Sequence, residues 1–559
     1  MSGFRNIIDP ADAARFRALG WWGDRTVSDY VRQHAAGQGD KVAYVTPDHA
    51  LTYRQMDLAA DRVAAAIAAA GIEAGERVAV MLPDGPTIHA VFVGAERAGV
   101  TVIGLGARAG DRELHHLLSK TEARSIVTHA EHRGHDQGAL IASLRASGID
   151  LGHHIVVPRF EHEDPTVVVD GTPVGATALD TDVEQRRRIG PDDLFLVNST
   201  SGTTGMPKCV QHFQNRWIYF HRKAVENGAL TGADVFCGAV PAPFGFGLWT
   251  SHVTPLVLGA TVLTFERFNA AETLRLIERE RVTTLCCVST QFIMLLNEPE
   301  LTVGHSVEGP TADVTARDLS SLRVMFTGGE PVPYLRALDF ERRTGAVVLQ
   351  FYGSNETGLL TGTTLQDDAD HRLHTAGRIA AEMDVRLFDN GVDVTSTGRG
   401  QPGCRGPALS PGYLDDDAAN AELFTCDGWM LMADVCTVDA DGYMTVVGRT
   451  SDIIIRGGKN ISAPQVEAEV ATHPDVAHVA AVAAPDPVFG ERVAVYVQLR
   501  APATTLTLDN LRTHLLGRGV SKEIHPEHLF VVDELPLSSG GKIAKGELRD
   551  DVTRRVPPT

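Results

Sequence analysis

From about residue 50 onward, apolar positions along this chain alternate between two rhythms. Met56, Ala60, Val63, Ile67 and Ala70 recur at steps of three and four, predicting a helix with one buried stripe that ends at Gly71. Residues 77–82 read as a strand, 88–98 as a helix, 100–103 as a strand, 113–118 as a helix and 125–128 as a strand. That beat predicts right-handed crossovers and a parallel sheet. Residues 129–190 break it. They hold His129, His132, His135, His153, His154 and His162 at irregular spacing among many charges, which predicts solvated loop rather than a metal cluster. The alternation resumes at Leu194 and runs past Gly345, with strands at 261–265 and 323–326.

Past Val447 the texture changes. Strands at 452–456, 476–484, 492–499 and 528–532, with helices at 464–471 and 508–516, predict a compact α+β unit. The expected organisation is an α/β protein. A large N-terminal domain (1–449) has parallel-rich sheets and helices, and a small mobile α+β domain (450–559) follows.

Composition narrows the function classes. A length of 559 residues allows three or four domains, and 43% hydrophobic with 22% charged residues is ordinary for a globular protein. The net charge of −20 argues against binding nucleic acid or an anionic membrane nonspecifically. Any polyanionic ligand must therefore be held by local donors. Seven cysteines without a C-x-x-C pair speak against disulfides or zinc, and Cys286 and Cys287 in an apolar run are expected to be buried thiols. With no leader-like N-terminus and no run of 18 apolar residues, a cytoplasmic protein without stable membrane insertion is expected. Homo-oligomerisation is left open.

The densest chemistry lies at 200–208: Thr200, Ser201, Gly202, Thr203, Thr204, Gly205, Met206, Pro207 and Lys208. An apolar run at 193–197 precedes it and a helix-compatible segment, 210–226, follows, so the motif is a loop leaving a strand. Glycines let backbone N–H groups converge on one anion, hydroxyls add donors, and Lys208 adds a mobile positive charge. The common nucleotide loop G-x-x-x-x-G-K-[ST] is a different pattern.

Four further stretches carry polar chemistry at loops. Phe351, Tyr352, Gly353, Ser354, Asn355, Glu356, Thr357 and Gly358 follow an apolar run at 347–349. The Asp427-Gly428-Trp429 turn leads to Asp434. Gly448, Arg449, Thr450, Ser451 and Asp452 mark the domain boundary. Ser538, Ser539, Gly540 and Gly541 place Lys542 beyond a flexible turn.

In this order the motifs resemble the adenylate-forming superfamily, which comprises acyl- and aryl-CoA synthetases, peptide-synthetase adenylation domains and luciferases. The likeness is strongest to the acid:CoA ligases. The resemblance implies a two-step reaction: a carboxylate attacks the α-phosphate of ATP to give acyl-AMP and pyrophosphate, then coenzyme A displaces AMP. It implies that 200–208 cradles the β- and γ-phosphates, and that Thr203 and Glu356 hold Mg²⁺. Gly328, Gly329, Glu330 and Tyr352, with Gly353, Ser354 and Asn355, would surround the adenine and phosphates. Asp434 would accept the ribose hydroxyls and Arg449 would contact ribose and phosphate. Lys542 would bridge the carboxylate and the α-phosphate. Phe244, Gly245 and Phe246 would line the acyl pocket. Arg456, Gly457, Gly458 and Lys459 would line the pantetheine tunnel, with Phe489 against the coenzyme A nucleotide, and Ser451 would be the hinge of a domain swing between steps.

The chain departs from that pattern in places. Asn355 stands for a usual Thr, Ser451 for Asp or Lys, Met432-Ala433-Asp434 for Thr-Gly-Asp, Phe244 for an acyl-site His, Cys209 for Gly, and 104–108 for a Pro-Leu-Asn-Pro-like turn. None removes a charged group needed for adenylation. Phe244, Phe246 and Trp249 suggest an aromatic or alicyclic acid, although such residues serve equally as packing. Two alternatives stay open at this point. The activated acid, or an oxyanion such as nitrite, could pass to an amine or a carrier-protein thiol. The chain could also be a catalytically silent nucleotide-binding protein.

Overall fold

The computed structural model describes residues 9–161, 165–199, 207–301, 316–329, 332–449, 452–456, 459–500, 505–537 and 543–556. Side chains of Arg449, Ile453, Ile455, Lys459, Asn460 and Glu523 are outside that description. The predicted stripe forms the helix Tyr53–Ala69, which buries Met56, Ala60, Val63 and Ile67. Thr52 caps it by accepting from the Gln55 backbone N–H while the Gln55 side chain returns the bond, satisfying two otherwise unpaired donors. It ends where Gly71 takes φ +75°, a conformation glycine adopts without steric cost.

Two large parallel-rich sheets organise the N-terminal region. In one, Val347–Ser354, Val324–Gly328, Thr284–Cys286, Val235–Gly238, Thr261–Leu263 and Val42–Val45 run parallel in that spatial order, with antiparallel strands at both edges. In the other, His153–Val156, Ser125–Thr128, Arg77–Val80, Thr101–Gly104 and Leu196–Ser199 run parallel. Their strands carry short, almost wholly buried apolar runs, as sheets covered by helices on both faces require. A third, antiparallel sheet spans Asp384–Asp389 to Met444–Arg449. The smaller C-terminal α+β domain pairs Val476–Asp486 with Gly490–Leu499, to which His528–Val532 adds in parallel. Cys286 and Cys287 are fully buried, as expected.

Two expectations are corrected. Segment 129–190 is not solvated loop: it contains the helix Gln137–Ala146, the strand His153–Val156 inside the second sheet, and the helix Thr181–Arg187. His129 is buried there with Nδ1 2.9 Å from the Val157 carbonyl oxygen, and burial pushes its pKa down to about 4. His162 lies outside the described residues. The segment after Lys208 does not start as helix. Cys209–His212 is a strand antiparallel to Leu196–Ser199, and the helix is Gln214–Gly228. Among the described residues, no helix is long and apolar enough to cross a membrane, and no cluster of three His, Cys, Asp or Glu could hold a metal.

Candidate active site

Open α/β sheets bind ligands beyond the carboxyl ends of their strands, and several of the described candidate residues lie at such ends. Leu196–Ser199 ends immediately before Thr200, Val324–Gly328 ends at Gly328, and Val347–Ser354 ends in the turn bearing Asn355 and Glu356. Asn198 ties two of these ends together. Its Nδ2 donates to the Asn355 Oδ1 at 3.3 Å, while Asn355 Nδ2 donates to Asn198 Oδ1 at 2.5 Å. The amide of Asn355 thus faces the strand that ends just before Thr200.

The turn itself is built on close backbone approach. Gly353 leaves no room for a side chain, since a Cβ there would lie 1.7 Å from the Gly358 carbonyl oxygen. The Ser354 backbone N–H donates to Thr357 Oγ1 at 2.8 Å. Glu356 then projects toward Tyr413, whose hydroxyl donates to its Oε1 at 2.7 Å. Burial, and next the Glu356 charge, push the Tyr413 phenol well above its ordinary pKa, so it stays a donor. The Lys208 ammonium sits 4.9 Å from the centroid of the same ring, and 3.9 Å from Glu422. A carboxylate and an ammonium are therefore gathered around one tyrosine. A carboxylate oxygen of this kind suits a hard divalent cation, which takes oxygen ligands and bridges phosphates.

A second cluster forms around Tyr352 and Asp434. Tyr352 is half-buried, and its hydroxyl donates to Asp434 Oδ2 at 2.7 Å. Burial first, then Cys436 and Asp434, hold its pKa far above the usual value. Asp434 starts the strand Asp434–Val438 and pairs with Arg449 across the antiparallel sheet. Two residues assigned to adenine and ribose are thus in contact, and the backbone of a third lies beside them. Gly328 abuts the Phe351 carbonyl, where a Cβ would come within 2.3 Å, and Gly329 takes φ +78°.

Around the acyl candidates, Phe244 precedes the short helix Gly245–Gly247, which runs into a π-helix, Leu248–Val253. Phe246 meets Trp249 edge-on at 5.5 Å, and Trp249 is enclosed by Phe220, Phe326 and Phe351. Trp249 is therefore packing. Gly245 lies against Asn355 and Trp217: a Cβ would fall 2.7 Å from Asn355 Oδ1 and 3.1 Å from Trp217 Cη2. In the smaller domain, the Arg456 guanidinium pairs with Glu527, and Phe489 lies under Arg492 with its ring 4.8 Å from the guanidinium carbon. Arg456 pairs with Gly490, so both are held beside one another.

Thr200, Ser201, Gly202, Thr203, Thr204, Gly205, Glu330, Ser451, Gly457, Gly458 and Lys542 lie outside the described residues. Asp452, next to the expected hinge, is anchored by Arg549 and, at 3.7 Å, by Lys545 of the last helix. Residues that the motifs did not flag are Tyr413, Asn198, His212 and Arg216. The last pair stands among Gln211, Gln214 and Asn215, so no apolar setting marked it in the sequence.

Comparison with known proteins gives the family and the fold. The model of the AMP-binding enzyme family matches residues 31–414, and that of the AMP-binding enzyme C-terminal domain matches 465–542. The chain is 30% identical over 547 residues to a medium-chain fatty-acid–CoA ligase of Escherichia coli (strain K12), covering 97% of this chain and 93% of that protein. It is 32% identical over 556 residues to a salicylyl-CoA synthase / salicylate adenylyltransferase of Streptomyces sp., covering 97% of each. Among solved structures, an anthranilate CoA ligase in complex with anthranoyl-AMP superposes with TM-score 0.81 at 22% identity, over 96% of this chain and 99% of that one.

Proposed function

This chain belongs to the family of AMP-binding enzymes, and we infer that it activates a hydrophobic carboxylic acid as acyl-AMP and passes the acyl group to coenzyme A. The observation that carries the reading is the gathering of Glu356 and Lys208 around Tyr413, beside the strand end that leads into Thr200. Joining a carboxylate to a phosphate brings two anions together, so the protein's part is positioning and charge neutralisation.

In that reading the 200–205 loop and Lys208 bind the triphosphate tail. Tyr352, Gly353 and Ser354, with Gly328, Gly329 and Glu330, flank the base. Asp434 exchanges its bond from Tyr352 for the ribose hydroxyls, with Arg449 alongside. Glu356 and Thr203 would hold Mg²⁺, which when bound would supply charge neutralisation on the phosphates. Lys542 places its ammonium between carboxylate and α-phosphate in the first step. The domain then turns about Ser451, so that Arg456, Gly457, Gly458, Lys459 and Phe489 receive the thiol and its nucleotide. The division into domains 1–449 and 450–559 is supported by the antiparallel strand that ends at Arg449 and the next strand, which starts at Ile453.

The names of the two curated relatives support an acid range from medium-chain fatty to aryl. The test is acid-dependent ATP–pyrophosphate exchange with salicylate, cyclohexanecarboxylate and octanoate, followed by product analysis with and without coenzyme A. Exchange together with thioester formation is expected. Exchange without thioester would move the acceptor to an amine or a carrier thiol, and no exchange over a broad acid panel would leave only nucleotide binding.

A further inference from the structure

Arg216 is 1% exposed, yet it carries a guanidinium. Its partners are oxygen and nitrogen acceptors drawn from three places in the chain. Nε donates to the Ala408 carbonyl at 2.8 Å, and Nη2 donates to the carbonyls of Asn355 at 3.0 Å and Glu356 at 2.9 Å. Nη1 lies 2.5 Å from His212 Nδ1. A guanidinium can only donate, so His212 Nδ1 is the acceptor and its proton sits on Nε2. That nitrogen donates to Asn198 Oδ1 at 2.7 Å. Asn198 Nδ2 donates on to the Pro243 carbonyl at 2.9 Å and to Asn355. From the guanidinium through His212 to Asn198, the donors point toward the strand end before Thr200.

Burial keeps the ring neutral, and its partners set the tautomer. His212 is fully buried beside a cation, and desolvation followed by Arg216 holds its pKa well below the usual value. A neutral ring with one donor and one acceptor is the form that can link an arginine to an amide oxygen. The fork of Arg216 meanwhile fixes two successive carbonyls of the turn that presents Glu356. Ala408 joins through its own carbonyl, and the Ser410 backbone N–H donates to the Glu356 carbonyl at 2.7 Å. The segment leading to Tyr413 is thereby braced against the same turn.

We propose that Arg216, acting through His212 and Asn198, is a positioning residue for adenylation that sets the distance between the strand entering the Thr200 loop and the carboxylate of Glu356. The inference rests on the functional reading above. It goes beyond that reading by assigning the spacing to a buried strut that touches neither acid nor nucleotide. A lysine could supply the charge but not the planar fork that meets the Asn355, Glu356 and Ala408 carbonyls together. Because the strut holds the phosphate and metal side of the site, it bears on adenylation and not on the thiol step.

The experiment compares the full-length protein with Arg216→Met, Arg216→Lys and His212→Phe. It uses whichever of salicylate, cyclohexanecarboxylate or octanoate gives the fastest exchange, with Mg²⁺ titrated. Thiolysis of the chemically prepared adenylate of that acid is measured alongside. Arg216→Met is expected to lower exchange by about 10²-fold, the scale of a displacement near 1 Å at a reacting centre. It should also raise the Mg²⁺ concentration for half-maximal exchange several-fold while thiolysis is largely retained. Arg216→Lys should not restore exchange. His212→Phe, which keeps the arginine, should lose about tenfold in exchange by the same positional argument. Exchange unchanged, or both half-reactions falling equally in His212→Phe, overturns the proposal. If Arg216→Met does not fold, the split in His212→Phe decides by the same criterion. Wild-type protein without exchange on any acid would instead overturn the functional reading.

Discussion

Replacing Tyr413 by phenylalanine removes one oxygen and leaves the ring in place, which separates two jobs that a single side chain does here. The hydroxyl orients Glu356 through a 2.7 Å bond, and the ring lies 4.9 Å from the Lys208 ammonium. Tyr413 is buried, so its bond to a carboxylate is shielded from water. A hydrogen bond to a charged group contributes about 1.5–3 kcal/mol. Converted at about 1.4 kcal/mol per decade, its loss predicts exchange kcat/KM lower by about 10- to 100-fold in Tyr413→Phe, with a raised Mg²⁺ requirement. The ring contact is weaker. Lys208 is 39% exposed, so the cation–π term belongs at the exposed end, about 0.5–1 kcal/mol. Tyr413→Leu should therefore fall a further two- to fivefold or so below Tyr413→Phe. The assay is ATP–pyrophosphate exchange at saturating acid over a Mg²⁺ series, with thermal midpoints to confirm folding. A Phe variant within twofold of wild type refutes the link from Tyr413 to Glu356. A Leu variant equal to the Phe variant refutes the ring's hold on Lys208.

Further outcomes follow from other parts of the molecule. Lys542→Ala should lower acyl-AMP formation by about 10²–10³-fold, the scale of one lost transition-state donor, while sparing thiolysis of preformed acyl-AMP; equal damage to both steps would contradict a swinging domain. Gly458→Leu should do the reverse, blocking thioester formation with exchange intact. Asp84 is buried, accepts from the Ala242 backbone N–H at 3.2 Å, and is pushed up to about 8 by burial, against the N–H donors of Ala242 and Gly85. A raised carboxyl means the folded state holds a proton that the unfolded chain has lost, so stability falls as pH rises through the window from about 4 to about 8. The thermal midpoint of Asp84→Asn should therefore gain on wild type as pH rises, at up to about 1.4 kcal/mol per pH unit, and parallel curves would rule this out. Gly353→Ala forces a Cβ to within 1.7 Å of the Gly358 carbonyl oxygen, where only backbone can yield. It should cost at least about 3 kcal/mol or prevent folding, and a wild-type thermal midpoint would show that the turn opens freely.

How legible the molecule was depended on how local each signal is. The stripe of Tyr53–Ala69 and the apolar runs of Arg77–Val80 and Val324–Gly328 are complete within a few residues, and they formed as read. His153–Val156 is different. Its own sequence is half polar, with Thr128 Oγ1 2.8 Å from His154 Nε2, and His153 Nδ1 2.8 Å from Asp170. It becomes a strand because Ser125–Thr128 offers a parallel edge, information that lies outside the segment. Arg399–Arg405, with two glycines and a proline, enters the antiparallel sheet for the same reason.

The candidate site divides along the same line. Segments whose turn is closed by their own residues, such as 351–358, advertise themselves through glycines, hydroxyls and a carboxylate in sequence. The residues holding those loops do not, because their partners are remote: Arg216 reaches Glu356 across 140 positions, Asn198 reaches Asn355 across 157, and Tyr413 reaches Glu356 across 57. A buried arginine has no sequence mark distinguishing it from a solvated one until its carbonyl acceptors are in view. Desolvation makes its placement costly unless those acceptors are met. The position of Glu356 is accordingly a property of the fold, and a variant that keeps every motif residue but loses Arg216 should bind poorly where its sequence still promises a site.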